Sequence, residues 1–414
     1  MEFHIGRRIA FLRRNKKENQ EKIANIVGIS RSHYSSLELG KRSWQKEFEE
    51  PLSKYFSVTS NYFKVQEKSD FVKRKINNLF ILLLKDDLLN AKKIIESFED
   101  PIINMEQEFE FNLLAGTFYI RINDFTKLSN LIDAYFFVFS PDDIANQLSQ
   151  NVQNYFHLYR ANFSAWKKNS FNQLYNWEIL VKKLEGSALE KYAKLHLITA
   201  LSENEKYGSA LLEASNLLPK VFEEASLFSM QVLIRISGIN INLSQYQDSL
   251  DTLNKIEALL EKNYIAEYKG IMLQHQGYIL FVMNNYEEAI STYNSSLELL
   301  EDKSRIITVL FSMIDCCVAI KDWKNMKKYL NQLKNYPVSF HQIMVINALE
   351  GEVFLHEGNF KNGKKLIKMA LNYFKENNLK SNQYHLLGQL GNYYHETGDF
   401  KNSANYYNQK EMLK

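Results

Sequence analysis

Eight side chains close to the N-terminus have the types and spacing to grip a nucleic acid. Within NQEKIANIVGISRSHYSSLELGKRS (19–43), Arg31, Ser32, Ser35 and Ser36 fall on one side of a helical pattern, opposite Tyr34 and Leu37. Short hydroxyl side chains let a helix approach base edges closely, and an arginine can hold a guanine through two hydrogen bonds. Gln20 opens the preceding helical stretch, where its amide and the backbone N–H groups suit a phosphate. Lys41, Arg42 and Lys46 follow and add phosphate neutralisation.

A second set recurs at related places along the rest of the chain: Arg160, Arg235, Asn242, Gln274, Tyr278, Asp315, Glu352 and Asn392, with His395 beside them. Polar groups converging on an apolar groove can hold a peptide backbone and its two ends. A peptide of about five to ten residues, extended between the fourth and eighth repeats described below, would match this set. Its mixed charges predict one basic and one acidic end, or a free carboxylate near Arg235.

Covalent and metal chemistry find no footing. There is no G-x-x-x-x-G-K-[ST], G-x-S-x-G or H-E-x-x-H motif and no paired cysteine ligands. An enzyme is not expected, and neither is a cofactor or a metal. The only cysteines, Cys316 and Cys317, are adjacent in a helical pattern and point in different directions, which disfavours a disulfide or a metal pair. A reduced cytoplasmic setting is the default for such usage. The longest apolar runs, LFILLL (79–84) and AYFFVF (134–139), fall short of the ~20 residues of a membrane helix. The first twenty residues scatter charges and lack the apolar segment of a signal peptide.

The elements that must position these residues are helices. Only 5 prolines and 15 glycines occur in 414 residues, and few chain breakers favour a mostly helical chain. Charge is uneven. Residues 1–64 hold 13 Lys/Arg against 7 Asp/Glu, whereas the remainder holds 38 against 41. A basic first module on a slightly acidic body points to a polyanion partner for the module alone. Ile5, Ile9 and Leu12 recur at helical spacing. Asn19 caps a second helix with Ile23, Ala24 and Val27 on its apolar face. Gly28 permits a tight turn, Ser30 caps a third helix, and Gly40 ends it. Phe48, Leu52, Tyr55 and Phe56 close the small core. Two short helices joined through a glycine turn make a helix-turn-helix unit, whose second helix enters the major groove.

Beyond it a pattern repeats. HQGYILFVMNNYEEAISTYNSSLELL (275–300), LEGEVFLHEGNFKNGKKLIKMAL (349–371) and GQLGNYYHETGDFKNSANYYNQ (388–409) each carry a small residue, a turn and an aromatic. Nine turn residues (Leu88, Phe125, Phe171, Tyr207, Tyr246, Tyr286, Trp323, Phe360 and Phe400) are mostly 36–40 apart. A period in that range marks an array of helical hairpins that bury their faces only by stacking. The expected fold is therefore all-α, with a helix-turn-helix domain over 1–64, a connection over 65–71 and a repeat superhelix of about nine repeats over 72–414.

RRIAFLRR followed by the 19–43 segment resembles the helix-turn-helix of the phage-repressor/XRE family. The pattern Q-E-x-[LI]-A-x-x-x-G-[IV]-S-x-x-x-[IVY]-S-x-x-E-x-G-K is met from Gln20 to Lys41. This resemblance implies Gln20 on a phosphate, Arg31, Ser32 and Ser36 at bases, and a partly buried Arg13–Glu38 ion pair. Glu18 stands where the family usually has a leucine. The repeats resemble tetratricopeptide repeats, with a generic α-solenoid as the alternative. Together the two parts resemble the cytoplasmic peptide-pheromone receptors of Gram-positive bacteria, which include the PlcR, NprR, PrgX and Rgg types. In length and repeat number the NprR type is the most similar. The resemblance implies a homodimer or higher homo-oligomer, double-stranded operator DNA, a short imported signalling peptide in the groove, and peptide-dependent control of transcription. An adaptor that holds a partner protein on its repeats, with the DNA-binding module as a tether, is the alternative.

Overall fold

The computed structural model describes residues 4–64, 67–98, 102, 104–141, 150–222 and 227–413, without the side chains of 150, 151 and 220–222. All regular structure among the described residues is helical. The chain forms two compact units, Met1–Leu217 and Leu218–Lys414.

The first unit opens with α1 (Ile5–Asn15), α2 (Gln20–Ile26) and α3 (Arg31–Glu38). Asn19 and Ser30 cap α2 and α3 by accepting the backbone N–H of Lys22 and His33, each cap contributing about 1 kcal/mol. Gly28 at φ +73° and Gly40 at φ +67° take the left-handed turns that a side chain resists. Ile9, Ile23, Tyr34, Leu37, Phe48 and Leu52 form the core, with α4 (Glu49–Phe56) closing it. Glu18 does not disturb this packing. Its Oε1 accepts from Tyr55 Oη at 2.6 Å and from Lys22 Nζ at 2.6 Å, so an ionic clasp stands where an apolar contact would be. These hydrogen bonds hold its carboxyl below the usual range.

Helical hairpins follow. In the first unit they are α5–α6 (Asp70–Leu84, Leu88–Glu96), α7–α8 (Met105–Arg121, Phe125–Asn130, running on as a π-helix over Leu131–Phe136), α9–α10 (Gln150–Trp166, Ser170–Lys183) and α11–α12 (Glu190–Glu203, Tyr207–Phe222), the unit boundary falling within α12. The second unit holds α13–α14 (Leu227–Asn242, Tyr246–Lys262), α15–α16 (Ala266–Val282, Tyr286–Leu297), α17–α18 (Lys303–Ile320, Trp323–Leu333), α19–α20 (Phe340–His356, Phe360–Glu376) and α21–α22 (Lys380–Glu396, Phe400–Glu411). Of the expected connection 65–71, residues 65 and 66 lie outside the described residues, and Asp70 already opens α5.

Eight of the nine turn residues read from the sequence are the first residue of a hairpin's second helix; Phe171 follows Ser170 by one. The reason lies two residues upstream. Asp86, Asn123, Lys168, Glu205, Ser244, Asn284, Lys321, Gly358 and Gly398 all have φ between +55° and +80°. One left-handed residue follows the first helix, and a single further residue separates it from the second. Seven of these nine residues carry a side chain in a conformation that favours glycine. Glu205→Gly is therefore expected to stabilise the first unit by about 0.5–1 kcal/mol, the relieved side-chain crowding exceeding the added chain entropy. Urea unfolding measures this directly, and a loss of stability would contradict it.

Small residues sit where paired helices cross. A Cβ on Gly277 would lie 2.7 Å from the Tyr293 ring, and one on Gly391 would lie 2.8 Å from the Tyr407 ring. Ser296 Oγ donates to Gly270 O at 2.8 Å and Ser403 Oγ to Gly391 O at 2.9 Å, so close approach is also satisfied by hydrogen bonds. At two hairpins of the second unit the aromatic that opens the second helix reaches the next hairpin: Trp323 lies 4.1 Å from the His356 ring and Phe360 lies 5.2 Å from Tyr393. Cys316 and Cys317 are both buried thiols in the core of the second unit, pushed by burial up to about 12 and about 11.

Candidate functional site

The face expected to meet nucleic acid is open. Arg31, Ser32, Lys41, Arg42 and Lys46 are exposed, while Ser35 and Ser36 are half-buried at the edge of the same face. Ser36 Oγ donates to Ser32 O at 2.9 Å, and the Ser30 and Ser32 hydroxyls lie 3.1 Å apart. Arg13 forks onto Glu38, Nε to Oε1 at 2.6 Å and Nη2 to Oε2 at 2.9 Å. Gln20 joins them. Its Nε2 donates to Glu38 Oε2 at 2.8 Å, so its amide is turned to the α3 carboxylate. The backbone N–H groups at the start of α2 keep the anion-facing geometry that a helix N-terminus offers.

Other arginines of this basic module face inward. Arg8 is fully buried against the second hairpin. Its Nε meets Glu108 Oε2 at 3.0 Å, Nη1 donates to Tyr62 O at 2.7 Å, Nη2 donates to Ile102 O at 2.7 Å, and the guanidinium lies 4.1 Å from the Tyr62 ring centre. Tyr62 Oη donates to the other Glu108 oxygen. Burial pushes the Glu108 carboxyl up, against the pull of Arg8 and Tyr62. Arg7 Nη1 donates to Val138 O at 2.9 Å, and Arg14 Nε donates to Asp133 O at 3.0 Å with its guanidinium 3.5 Å from the Phe137 ring. Phe11 meets Tyr135 edge-on at 5.1 Å. The Asp133 and Val138 carbonyls lie in and just beyond the π-helix, and the partial negative charge at a helix C-terminus draws cations. Sequence reasoning missed this seam. With Arg13, four arginines among the module's 13 cations are turned onto acceptors within the protein, so net charge overstates what is left for a polyanion. The available clue was the pair Arg7–Arg8 inside the apolar stripe of α1.

In the second unit first helices touch directly from α13 to α15, from α15 to α17 and from α19 to α21. Tyr278, Asp315, Glu352 and Asn392 each stand eight residues before the second helix of their hairpin, at Tyr286, Trp323, Phe360 and Phe400. They form a row at one register. Gln274 lies one helical turn before Tyr278 and accepts from Arg305 Nη1 at 3.3 Å. Asn242 is exposed at the end of α13. Arg235 is half-buried and folds back on Gln231 O at 3.1 Å. Asp315 is open to solvent and accepts no hydrogen bond among the described residues, yet the surrounding protein raises its carboxyl to about 6. Glu352 departs from an open face. It is 7% exposed, and its Oε1 accepts from His385 Nε2 at 3.0 Å, which raises the His385 pKa. Asn392 Oδ1 accepts from Tyr407 Oη. Arg160 stands on α9 of the first unit. Among the described residues no three His, Cys, Asp or Glu side chains are grouped to hold a metal, and no helix is long and apolar enough to cross a membrane.

Short N-terminal helices followed by stacked hairpins with polar first-helix faces define a helical-repeat protein. Solved structures share this fold. The apo form of the quorum sensor NprR from B. thuringiensis superposes with a TM-score of 0.62 at 15% identity, over 83% of this chain and 99% of that one. NprR in complex with its cognate peptide NprX gives 0.55 at 14% identity, over 84% and 99%. The apo form of RapI gives 0.55 at 18% identity, over 83% and 97%. No family model and no curated protein matches the chain.

Proposed function

We propose that this chain is a transcriptional regulator that binds operator DNA through the face built by α3 and the segment after it, and that a short peptide held along the first helices of the second unit switches this binding. The observation that carries the reading is the row Tyr278, Asp315, Glu352 and Asn392. Polar side chains at one register on consecutive helices present donors and acceptors at the spacing of the hairpins, and an extended peptide needs such a ladder. The fold shared with a quorum sensor solved with its cognate peptide supports the same reading. A homodimer completes it, because helix-turn-helix modules read half-sites in pairs whose separation follows the DNA turn. A coupling of about 1–3 kcal/mol between peptide and DNA suffices for control. The Arg8 seam supplies part of the coupling, since it ties the module to α7 and to the π-helix rather than leaving it on a loose tether.

Two titrations test the proposal. Arg31→Ala is expected to weaken operator binding by about 2 kcal/mol and to relax discrimination, while Lys41→Ala weakens binding to all sequences and lowers the salt slope by about one. Unchanged operator discrimination in Arg31→Ala would remove α3 from the base edges. For the peptide, Asn242→Ala and Asp315→Ala are expected to lower affinity about tenfold each by calorimetry while unfolding at unaltered temperature, because both side chains are exposed. Retention of a folded partner protein on the immobilised chain, with no short peptide bound, would favour the adaptor instead.

A further inference from the structure

The second unit contains a cavity of about 420 Å³ between its last three hairpins, within the ~300–1,000 Å³ typical of ligand pockets. Trp323, Phe360 and Tyr393 line it with aromatic surface, and Glu352, Glu396 and Gln389 line it with polar groups. Glu352 is 7% exposed, and only its Oε1 is engaged, by His385; its second oxygen takes no hydrogen bond among the described residues. Glu396 is exposed at the end of α21 and forms no ion pair among the described residues. No lysine or arginine lines the cavity; Lys364 lies 5.0 Å over the Tyr393 ring without being part of the lining. A buried carboxylate with a free oxygen, a second carboxylate at the rim and electron-rich rings between them together select a cation. A planar guanidinium answers all three, forking onto carboxylates and stacking on rings.

We infer that this cavity is the pocket for a basic side chain, arginine above lysine, of the peptide that binds the second unit. The inference rests on the peptide-receptor reading and adds the residue class that the peptide must carry and where it sits. The hydrogen bond from His385 holds the Glu352 carboxylate in place, and Trp323, tilted against the His356 ring of the next hairpin at 4.1 Å, forms a wall. Occupation by a guanidinium would link α18, α19 and α21, so the basic residue would also brace the end of the hairpin stack.

The test uses the full chain, immobilised, and an equimolar random heptapeptide library with acetylated N-termini and free C-termini. Capping removes the peptide amine as an alternative cation. Retained peptides are sequenced by mass spectrometry for the wild type, Glu396→Gln and Tyr393→Leu. Enrichment of arginine and lysine by about tenfold in the wild type, lost in Glu396→Gln and reduced in Tyr393→Leu while other peptides are still retained, is the expected result. Retention with no basic enrichment in the wild type overturns the pocket and leaves the receptor reading standing. Enrichment that survives undiminished in both variants also overturns it, by moving the basic residue elsewhere. If the wild type retains no peptides, both the pocket and the receptor reading fail. Circular dichroism of each variant confirms the fold, which Glu396→Gln is expected to leave untouched.

Discussion

Arg8→Ala is expected to destabilise the first unit by about 3–5 kcal/mol, the cost of leaving a buried charge without its partner. The guanidinium is fully buried and satisfies Glu108 and the carbonyls of Tyr62 and Ile102 at once. Its removal leaves one carboxylate and two carbonyls desolvated. No neighbouring arginine can replace it without opening the seam, because the other seam arginines already hold Val138 O and Asp133 O. Chemical unfolding followed by near-ultraviolet signals, with hydrogen exchange resolved along the chain, distinguishes the outcomes. Protection is expected to fall first in α1 and α7. Arg8→Lys is expected to recover little, since an ammonium cannot reach three acceptors set in a guanidinium's plane. A double variant, Arg8→Met with Glu108→Leu, is expected to be far less damaging than Arg8→Ala, because it removes both charges and refills the volume. If Arg8→Ala unfolded like the wild type, the module would not be docked as described.

Gly351→Val is expected to cost about 3 kcal/mol or more in the second unit, at the upper end of overpacking effects. A Cβ there would lie 2.6 Å from Ile367 Cγ1, 3.0 Å from Gly363 O and 3.2 Å from Ile367 N. Two of those three atoms are backbone, and Ile367 is fully buried, so no side chain can swing aside. The helices α19 and α20 would have to part, and the aromatic contact from Phe360 to Tyr393 would loosen with them. Gly208→Ala is the control. A methyl group added there meets nothing within 4 Å, and the change is expected to be neutral or to stabilise by up to about 1 kcal/mol through helix propensity. The urea midpoint is therefore expected to fall in Gly351→Val and to hold or rise in Gly208→Ala. Equal losses would mean that the cost lies in helix formation rather than in the crossing.

Much of the fold was legible because it is local and periodic. The turn residues marked second-helix starts to within one position, since an aromatic or apolar residue after a left-handed turn is a requirement repeated nine times. The caps Asn19 and Ser30 and the turns at Gly28 and Gly40 were equally legible, since each follows from one residue type at one place. The pair Arg13–Glu38 stands where the resemblance to the phage-repressor family implied it. Its extension to Gln20 was not visible, because it depends on the distance between α2 and α3.

The chain by itself determined its helices, its hairpin period, and the row of first-helix positions that puts Tyr278, Asp315, Glu352 and Asn392 at one register. Those follow from short-range sterics and from a spacing that any stacking of the hairpins preserves. Tertiary structure alone decided which polar groups remain open. Glu352 and Asp315 hold the same repeat position, yet one is buried on His385 and the other is open, because only one has a histidine from the next hairpin across from it. It also decided the fate of the basic N-terminus. Arg7, Arg8 and Arg14 carry the same charge as Arg31 and Arg42, but a residue some hundred positions away, Glu108, and the carbonyls around the π-helix turn the first three inward. Charge is a property of the residue; the partner that neutralises it is a property of the fold.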